Sequence, residues 1–470
     1  MQTLNKKKTF QMPHVFAILF IIMLLVTVLS NFVIPSGAFE RYMDESGMEV
    51  VNPDNFQYVE GEKISFMDFM TSIYTGFVEG GTIIASLLIC SGSLAVLNST
   101  GALTSGVEKL TQVTKGKNAV AIVIFYIYFA GMNILGAGEA CYPFFPIITA
   151  IVMTLGYDRM MGAATIMFGA TAGFACGMVN MFTTGISQQL VGLPMFSGIK
   201  YRFLVFLVLF TIGLIGVFLY GRKIKKDPTK SCVADEYLEQ LKKLEEEKDG
   251  REVKNDFNMK KKLALILFLV LILFTAYGCL KLGFGLGQFA ALYVTYAIIL
   301  AFIFRINVND FCQIFTQGAA QVLGAAFAIG LARSVMILLD QGQIMDTLVY
   351  YMGNALEGKN IVLTLLLIYL FVTALNFLVV SGSGKAVMMM PIMSPLGKML
   401  GINQQVMVLT YQLGDGLTNM LWPGGGLICC SLCGINYGAW LKMAWKTFAA
   451  MIFSGFVLIV IADAIGYGPF

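Results

Sequence analysis

The sequence predicts an all-α polytopic membrane protein made of two repeats of inverted topology, each with a re-entrant hairpin and a broken helix. Three observations predict it. The 470 residues are 57% hydrophobic and only 13% charged, where soluble domains carry roughly a quarter charged residues. Apolar runs of about twenty residues recur, the length that spans a bilayer core. The chain also repeats itself. Gly116-Lys117-Asn118 opens an apolar stretch that reaches Gly138-Glu139-Ala140, and Gly358-Lys359-Asn360 opens another that reaches Gly384-Lys385-Ala386. Pro146 and Pro391, Gly156 and Gly401, and Gly169 and Gly414 follow at matching offsets, while Gly76 and Gly318 precede at nearly the same one. Hydrophobic repeats broken by Gly and Pro at matching places point to a secondary transporter with its site at the repeat interface.

Along the chain, spans are expected near 14–34, 72–98, 119–137, 160–178, 200–221, 260–282, 285–305, 316–340, 361–379, 404–422 and 446–466. Lys6-Lys7-Lys8 precede the first, Arg222, Lys223, Lys225 and Lys226 follow the fifth, and Lys260-Lys261-Lys262 precede the sixth. These basic clusters read as cytoplasmic. The loop 35–68, with Glu40, Asp44, Glu45, Glu49, Asp54, Glu60 and Glu62, reads as external. The first apolar run is too long for a signal peptide's core and is kept as a mature helix. Five regions follow: a first span and external loop (1–64), transport repeat 1 (65–221), a cytoplasmic linker (222–259), two linking spans (260–307) and transport repeat 2 (308–470). Within the linker, Leu238, Leu241 and Leu244 in a mixed-charge run suggest a short solvated helix.

The matched loops carry opposite bias: Lys109, Lys115 and Lys117 in 105–118, against Asp340, Asp346 and Glu357 in 340–359. Opposite bias implies opposite sides of the membrane. The span count contradicts this unless one further crossing lies between 138 and 200. The stretches 139–156 and 181–196 are the candidates, one as a re-entrant hairpin and the other as part of a broken helix.

The chemistry is expected where small residues surround a charge in an apolar region. Gly136-Ala137-Gly138-Glu139 and Ser381-Gly382-Ser383-Gly384-Lys385 are such places. Irregular backbone at membrane depth survives only where it lines a cavity or is buried in protein. The helix after each break aims its N-terminal amides at the gap, which suits an anion. An ionisable residue there is costly and defaults to a functional reading. Lys385 with the amides of Ser381, Ser383 and Gly384 suggests a carboxylate site; Glu139 suggests an amine, a guanidinium, Na⁺ or a proton. The plain alternative is a Glu139–Lys385 ion pair. Asn180 and Thr183 in the first broken helix, and Asp415, Thr418 and Asn419 in the second, supply further oxygen ligands. Glu139, Asn133, Asn376 and Asp415 are the coupling-ion candidates; Arg333 reads as structural.

Other chemistry is disfavoured. Gly-Ser-Gly-Lys at 382–385 misses the phosphate-loop pattern, since Ala386 follows and Val379 stands where the first glycine belongs. Cys429, Cys430 and Cys433 lie in an apolar helix and read as packing, and His14 is the single histidine, so neither a metal centre nor an enzyme is expected. No continuous polar stripe suggests a channel. No cofactor and no nucleic-acid partner are expected beyond Na⁺ or H⁺ as a coupling ion.

The stretch from Glu139 through Pro146 and Gly156-Tyr157-Asp158-Arg159 to Asn180, and that from Ser381 through Lys385 and Pro391 to Gly414-Asp415-Gly416-Leu417-Thr418-Asn419, carry a family resemblance. Over nearly its whole length the chain resembles the YfcC/DcuC-like, or four-carbon dicarboxylate anaerobic carrier-like, family of the ion transporter superfamily. YfcC-type members carry basic amino acids, including arginine/ornithine exchange; DcuC-type relatives carry succinate-like diacids. The resemblance implies inverted repeats with re-entrant hairpins, elevator-type motion, a homodimer and the bacterial cytoplasmic membrane. The chain has Glu139-Ala140 where YfcC-type proteins carry a pair of acids. The expected function is secondary transport of a small carboxylate-bearing solute, an amino acid first and a dicarboxylate second.

Overall fold

The computed structural model describes residues 14–43, 49–103, 105–106, 109, 118–136, 138–250, 257–278, 282, 284–356, 359–379 and 381–468. Lys6-Lys7-Lys8, Lys115, Lys117 and Glu357, used above to orient the chain, lie outside the described residues. Helices dominate: α1 (Val15–Val28), α2 (Phe66–Glu79), α3 (Gly81–Ser99), α4 (Ala119–Ile134), α5 (Phe144–Thr154), α6 (Arg159–Cys176), α7 (Ile186–Leu190), α8 (Ile199–Lys226) and α9 (Ala234–Gly250) form the first part. The second part comprises α10 (Met259–Tyr277), α11 (Leu286–Phe304), α12 (Val308–Ala320), α13 (Leu323–Gly342), α14 (Met345–Leu356), α15 (Ile361–Leu378), α16 (Gly382–Met399), α17 (Gln404–Gly416), α18 (Pro423–Cys433) and α19 (Tyr437–Ala464). Among the described residues, eight helical segments are long and apolar enough to cross a membrane.

Several expected spans are not single crossings. The runs 72–98 and 316–340 each straddle a bend, at Gly80 and at Gln321–Val322. Ser65 closes a capping box with Asp68, and Asn307 caps α12 from its side chain. These caps start α2 and α12 as separate amphipathic helices ahead of the true spans. Satisfied amides at those starts outweigh the continuous apolar run that the sequence displays.

The run 119–137 is one arm of a hairpin. Helix α4 has 16 residues, about 24 Å at 1.5 Å per residue, too short for a hydrocarbon core of about 30 Å. The chain turns through Glu139–Cys141 and returns along α5. The Asn118 Nδ2 donates to the Leu155 carbonyl at 2.8 Å, so the two ends of the hairpin meet. The piece missing between 138 and 200 is therefore a return arm. Helices α15 and α16 form the matching second hairpin, whose return arm carries Pro391 and Pro395 and escaped the sequence count. Gly169 and Gly173 of α6 sit against the carbonyls of Tyr126 and Ala130 of α4; a Cβ at Gly173 would stand 2.1 Å from the Ala130 oxygen. That near-contact of backbones is what the small residues of α6 are for.

Both expected helix breaks are present. Helix α6 stops at Gly177, whose φ of 58° is left-handed, and the chain restarts at Asn180, whose side chain accepts from the Phe182 amide. Helix α17 stops at Gly416 and restarts at Pro423, which fits a first helical turn because it has no N–H to leave unpaired.

The repeats pack reciprocally. Helix α2 lies on α13 while α12 lies on α3; α5 lies on α18 while α16 lies on α7. The same exchange pairs α1 with α13 and α11 with α3. In packing, the spans 14–34 and 285–305 thus go with the repeats, and α10 is the odd helix, set against α11. The loop 35–68 builds a two-stranded antiparallel ribbon, Gly37–Met43 against Glu49–Tyr58, which its acidic composition does not signal. Asp346 of α14 anchors it through the Phe39 amide at 3.1 Å and Arg41 at 3.2 Å.

The linker helix α9 is bound rather than solvated. Tyr237 donates to the Gly156 carbonyl at 3.0 Å, Gln240 to those of Met153 and Tyr157 at 2.8 Å, and Glu236 pairs with Arg159 at 2.8 Å. The carboxylate of Asp158 collects the Met161 amide, Tyr220 and Ser231. The linker thereby clasps the turn between the first hairpin and the first broken helix.

Candidate functional site

The strongest polar cluster in the molecule sits where the second hairpin meets the second broken helix. Lys385, in the first turn of α16, is fully buried, and its ammonium lies 2.5 Å from Asp415 Oδ1, also fully buried. The Lys385 ammonium also donates to Asn376 Oδ1. Asn376, near the end of α15, turns its amide nitrogen to the Asp415 carbonyl at 2.8 Å, Thr418 Oγ1 at 2.9 Å and Asn419 Oδ1 at 2.8 Å. One asparagine thus ties hairpin, ion pair and helix break together. Tyr411 adds a bond to the Gly382 carbonyl. The ammonium is held by both the carboxylate and the Asn376 amide oxygen, whereas Asp415 Oδ2 is buried without a hydrogen-bond partner, so the carboxylate depends on the charge of Lys385.

The expected residues fall into three places. Lys385, Asp415, Asn376, Thr418 and Asn419 come together as described. Asn180 and Thr183 stand next to them: a Cβ at Gly382 would meet Thr183 Cγ2 at 2.7 Å and Asp415 Oδ2 at 3.1 Å. The tip of the first hairpin joins from the other side, since a Cβ at Gly136 would meet Asn180 Oδ1 at 2.5 Å. Both hairpin tips therefore converge on the first helix break. In this row Asn133 Oδ1, Asn180 Nδ2 and Thr183 Oγ1 are buried without a hydrogen-bond partner. Ser381 Oγ lies 3.4 Å from Ser383 Oγ and accepts from the Gly384 amide at 3.2 Å. The N-terminal turn of α16 with its serines faces this row half-buried.

Glu139 stands apart. It is exposed on the chain's own surface and lines a small pocket with Ser86, Cys90, Tyr142, Leu286 and Tyr293, between the first hairpin and helices α3 and α11. Arg333 of α13 is close enough to act electrostatically on Glu139 and Tyr142. The Glu139–Lys385 ion pair is not formed; Lys385 takes Asp415 instead. An exposed carboxylate in a groove next to hairpin amides is equipped to receive a cationic group.

The sequence reading missed three contributors. Gln412 bridges the two breaks, donating to the Phe174 carbonyl at 2.8 Å and accepting from Thr184 at 3.0 Å. Trp422 donates to the Thr373 carbonyl at 2.7 Å and pins the second break to its hairpin. Arg202 is fully buried, with Nη1 3.5 Å from the Cys176 carbonyl at the end of α6 and Tyr467 against it. A glutamine and an arginine within apolar helices were visible signals; their partners were not. Among the described residues no group of three His, Cys, Asp or Glu gathers as a metal centre. Cys429, Cys430 and Cys433 are buried free thiols.

A profile of the C4-dicarboxylate anaerobic carrier family matches residues 12–464. The chain is 28% identical over 514 aligned residues to an uncharacterized protein of Haemophilus influenzae strain Rd, covering 98% of this chain and 99% of that one. It is 26% identical over 499 residues to an Escherichia coli K12 protein provisionally named a basic amino acid antiporter, YfcC, covering 97% of each. Among solved structures, the YdaH transporter of Alcanivorax borkumensis, reported for its unusual topology, is similar at 15% identity and a TM-score of 0.41, over 97% of this chain and 100% of that one.

Proposed function

We propose, for a chain that belongs to the C4-dicarboxylate anaerobic carrier family, that this transporter moves an amino acid with a cationic side chain across the bacterial cytoplasmic membrane, by exchange or coupled to a cation. The observation that carries the reading is the distribution of charge between the two hairpins. Lys385 is neutralised internally by Asp415, so the second hairpin offers the solute serine hydroxyls and helix amides rather than a net positive charge. Those groups suit a single carboxylate. Among the described residues Glu139 makes no salt bridge, with Arg333 near enough only to act on it through space, and its carboxylate suits an ammonium or guanidinium. A dicarboxylate needs a second positive anchor. The relative named a basic amino acid antiporter agrees with this choice.

In this reading Ser381, Ser383 and Gly384 hold the carboxylate, and Asn180, Thr183 and Asn419 complete the polar row. Asn133 is the first repeat's coupling-ion candidate. Inverted repeats are supported by proximity. The end of α13 touches the start of the ribbon, Ser36 to the Gly342 carbonyl at 2.9 Å, whereas α3 leads to Ser105, which Lys261 contacts at 3.1 Å. The Tyr467 hydroxyl meets the Gly198 carbonyl and Arg159 meets Gly434, as expected if 198 and 467 lie outside and 159 and 434 inside. An elevator-type motion of hairpins and broken helices against α3, α11 and α13 fits the groove in which Glu139 sits. A homodimer is part of the same proposal.

Proteoliposome uptake tests the reading with arginine, ornithine, a neutral amino acid and succinate, each with and without Na⁺ and a pH gradient. Arginine or ornithine transport that collapses in Glu139→Gln is expected. Succinate transport without any amino acid transport refutes it.

A further inference from the structure

We propose that Lys385 is a tethered cation: its ammonium fills, in the second repeat, the position that a coupling Na⁺ would otherwise occupy, so this repeat works without binding an ion. The inference takes its meaning from the transport reading above, but its geometry and its test stand independently of the solute.

The surroundings of the ammonium are those of a small hard cation. Its neighbours are a carboxylate oxygen of Asp415 at 2.5 Å and the amide oxygen of Asn376, with both side chains fully or almost fully buried. The site lies at the C-terminal end of the half-helix α17, one residue before it breaks. Half-helix C-terminal ends and the unwound backbone beyond them are where transporters hold Na⁺. The Gly414 and Asp415 carbonyls lie one hydrogen bond further out, the first accepting from Thr418 Oγ1 at 3.4 Å and the second from Asn376 Nδ2 at 2.8 Å.

Comparison of the repeats sharpens the assignment. At the offset of Gly138 and Gly384, Glu139 matches Lys385, and at that of Gly169 and Gly414, Ala170 matches Asp415, while Asn133 and Asn376 each stand near the end of the first arm of their hairpin. The first repeat therefore lacks both charges, and the buried oxygen of its asparagine has no partner. The second repeat has both charges and its asparagine is saturated. A buried pair is replaceable by apolar groups at little cost, whereas one of its charges alone is costly. Stability thus does not explain the pair. What it does is join the hairpin to the broken helix with a positive charge that cannot dissociate. A free Na⁺ would make the same link only when bound, so the tether holds the second hairpin on the broken helix at every Na⁺ concentration.

The test is thermal unfolding of the purified full-length protein, followed by tryptophan fluorescence, in NaCl against choline chloride at equal ionic strength. Wild type, Lys385→Ala and Lys385→Ala/Asp415→Ala are compared. Lys385→Ala removes the tether and leaves the oxygens of Asp415 and Asn376 around a space. The expected result is a saturable rise of the unfolding temperature with Na⁺ in Lys385→Ala alone, with wild type and the double variant equal in the two salts. If Lys385→Ala is recovered folded only when prepared in NaCl, that also supports the tether. Three outcomes overturn it: a folded Lys385→Ala indifferent to Na⁺, a wild type with the same Na⁺ response as Lys385→Ala, or a Lys385→Ala that folds in neither salt while the double variant folds. Failure of wild-type amino acid uptake would sink the substrate reading and leave these results standing.

Discussion

Replacing Asn376 by alanine should damage the protein far more than the same change at Asn133, although both stand near the end of the first arm of their hairpin. The Asn376 amide nitrogen serves Asp415, Thr418 and Asn419 within 2.9 Å, and its oxygen accepts from the buried ammonium of Lys385. A hydrogen bond inside a membrane protein is worth on average about 0.6 kcal/mol. Two such bonds from the NH₂ contribute about 1 kcal/mol at that value, and the bond to a charged group adds about 1.5–3 kcal/mol. Asn376→Ala therefore costs about 2.5–4 kcal/mol. At Asn133 the geometry offers one bond of ordinary length, to the Phe129 carbonyl at 2.9 Å, and an oxygen with no partner. Its loss costs roughly 1 kcal/mol or less on the same scale. The measurement is the unfolding temperature in detergent, read from tryptophan fluorescence, because Trp422 lies on the second break and bonds Thr373. Asn376→Ala should unfold several degrees below Asn133→Ala, with an earlier red shift. Equal losses for the two variants would refute the reasoning that the second repeat alone carries a saturated polar hub.

Three further outcomes are expected. Gly173→Ala places a Cβ 2.1 Å from the Ala130 carbonyl oxygen, so α4 must move; overpacking of this kind costs about 1–3 kcal/mol, and wild-type stability in this variant would show that the two helices do not touch backbone to backbone. Gln240→Ala with Tyr237→Phe removes the bonds from α9 to the carbonyls of Met153, Gly156 and Tyr157. Protease should then cut the linker faster, and an unchanged cleavage rate would mean that α9 is not clasped. Cysteines introduced at Lys109 and Lys359, in a background without accessible native cysteines, should label from opposite sides of the membrane; labelling from one side removes the inverted topology.

Part of this molecule was legible in its amino acids. The spans 14–34, 200–221 and 446–466 are strongly apolar and each falls almost wholly within one continuous helical run. The breaks near Asn180 and Asn419 were legible because glycine, proline and a side-chain cap are local signals. The hairpins were not, because the first arm of a hairpin and a spanning helix are equally apolar. Only the contact of Asn118 with Leu155 distinguishes them. The bends at Gly80 and Gln321–Val322 were hidden for a similar reason, since hydropathy does not register where a capped helix starts over.

The site divides in the same way. Composition and spacing by themselves determined that the chain crosses a membrane, that it does so twice in one pattern, and which charges lie at the two hairpin tips. They determined this because a charge or a glycine in an apolar run carries its cost wherever the chain folds. The partner of each charge was decided by tertiary structure alone. Lys385 and Asp415 are thirty positions apart in sequence and 2.5 Å apart in space, while Glu139, the repeat partner of Lys385, faces a different groove. Local sequence sets the price of a buried charge, but only the packing of hairpin against broken helix supplies the group that neutralises it.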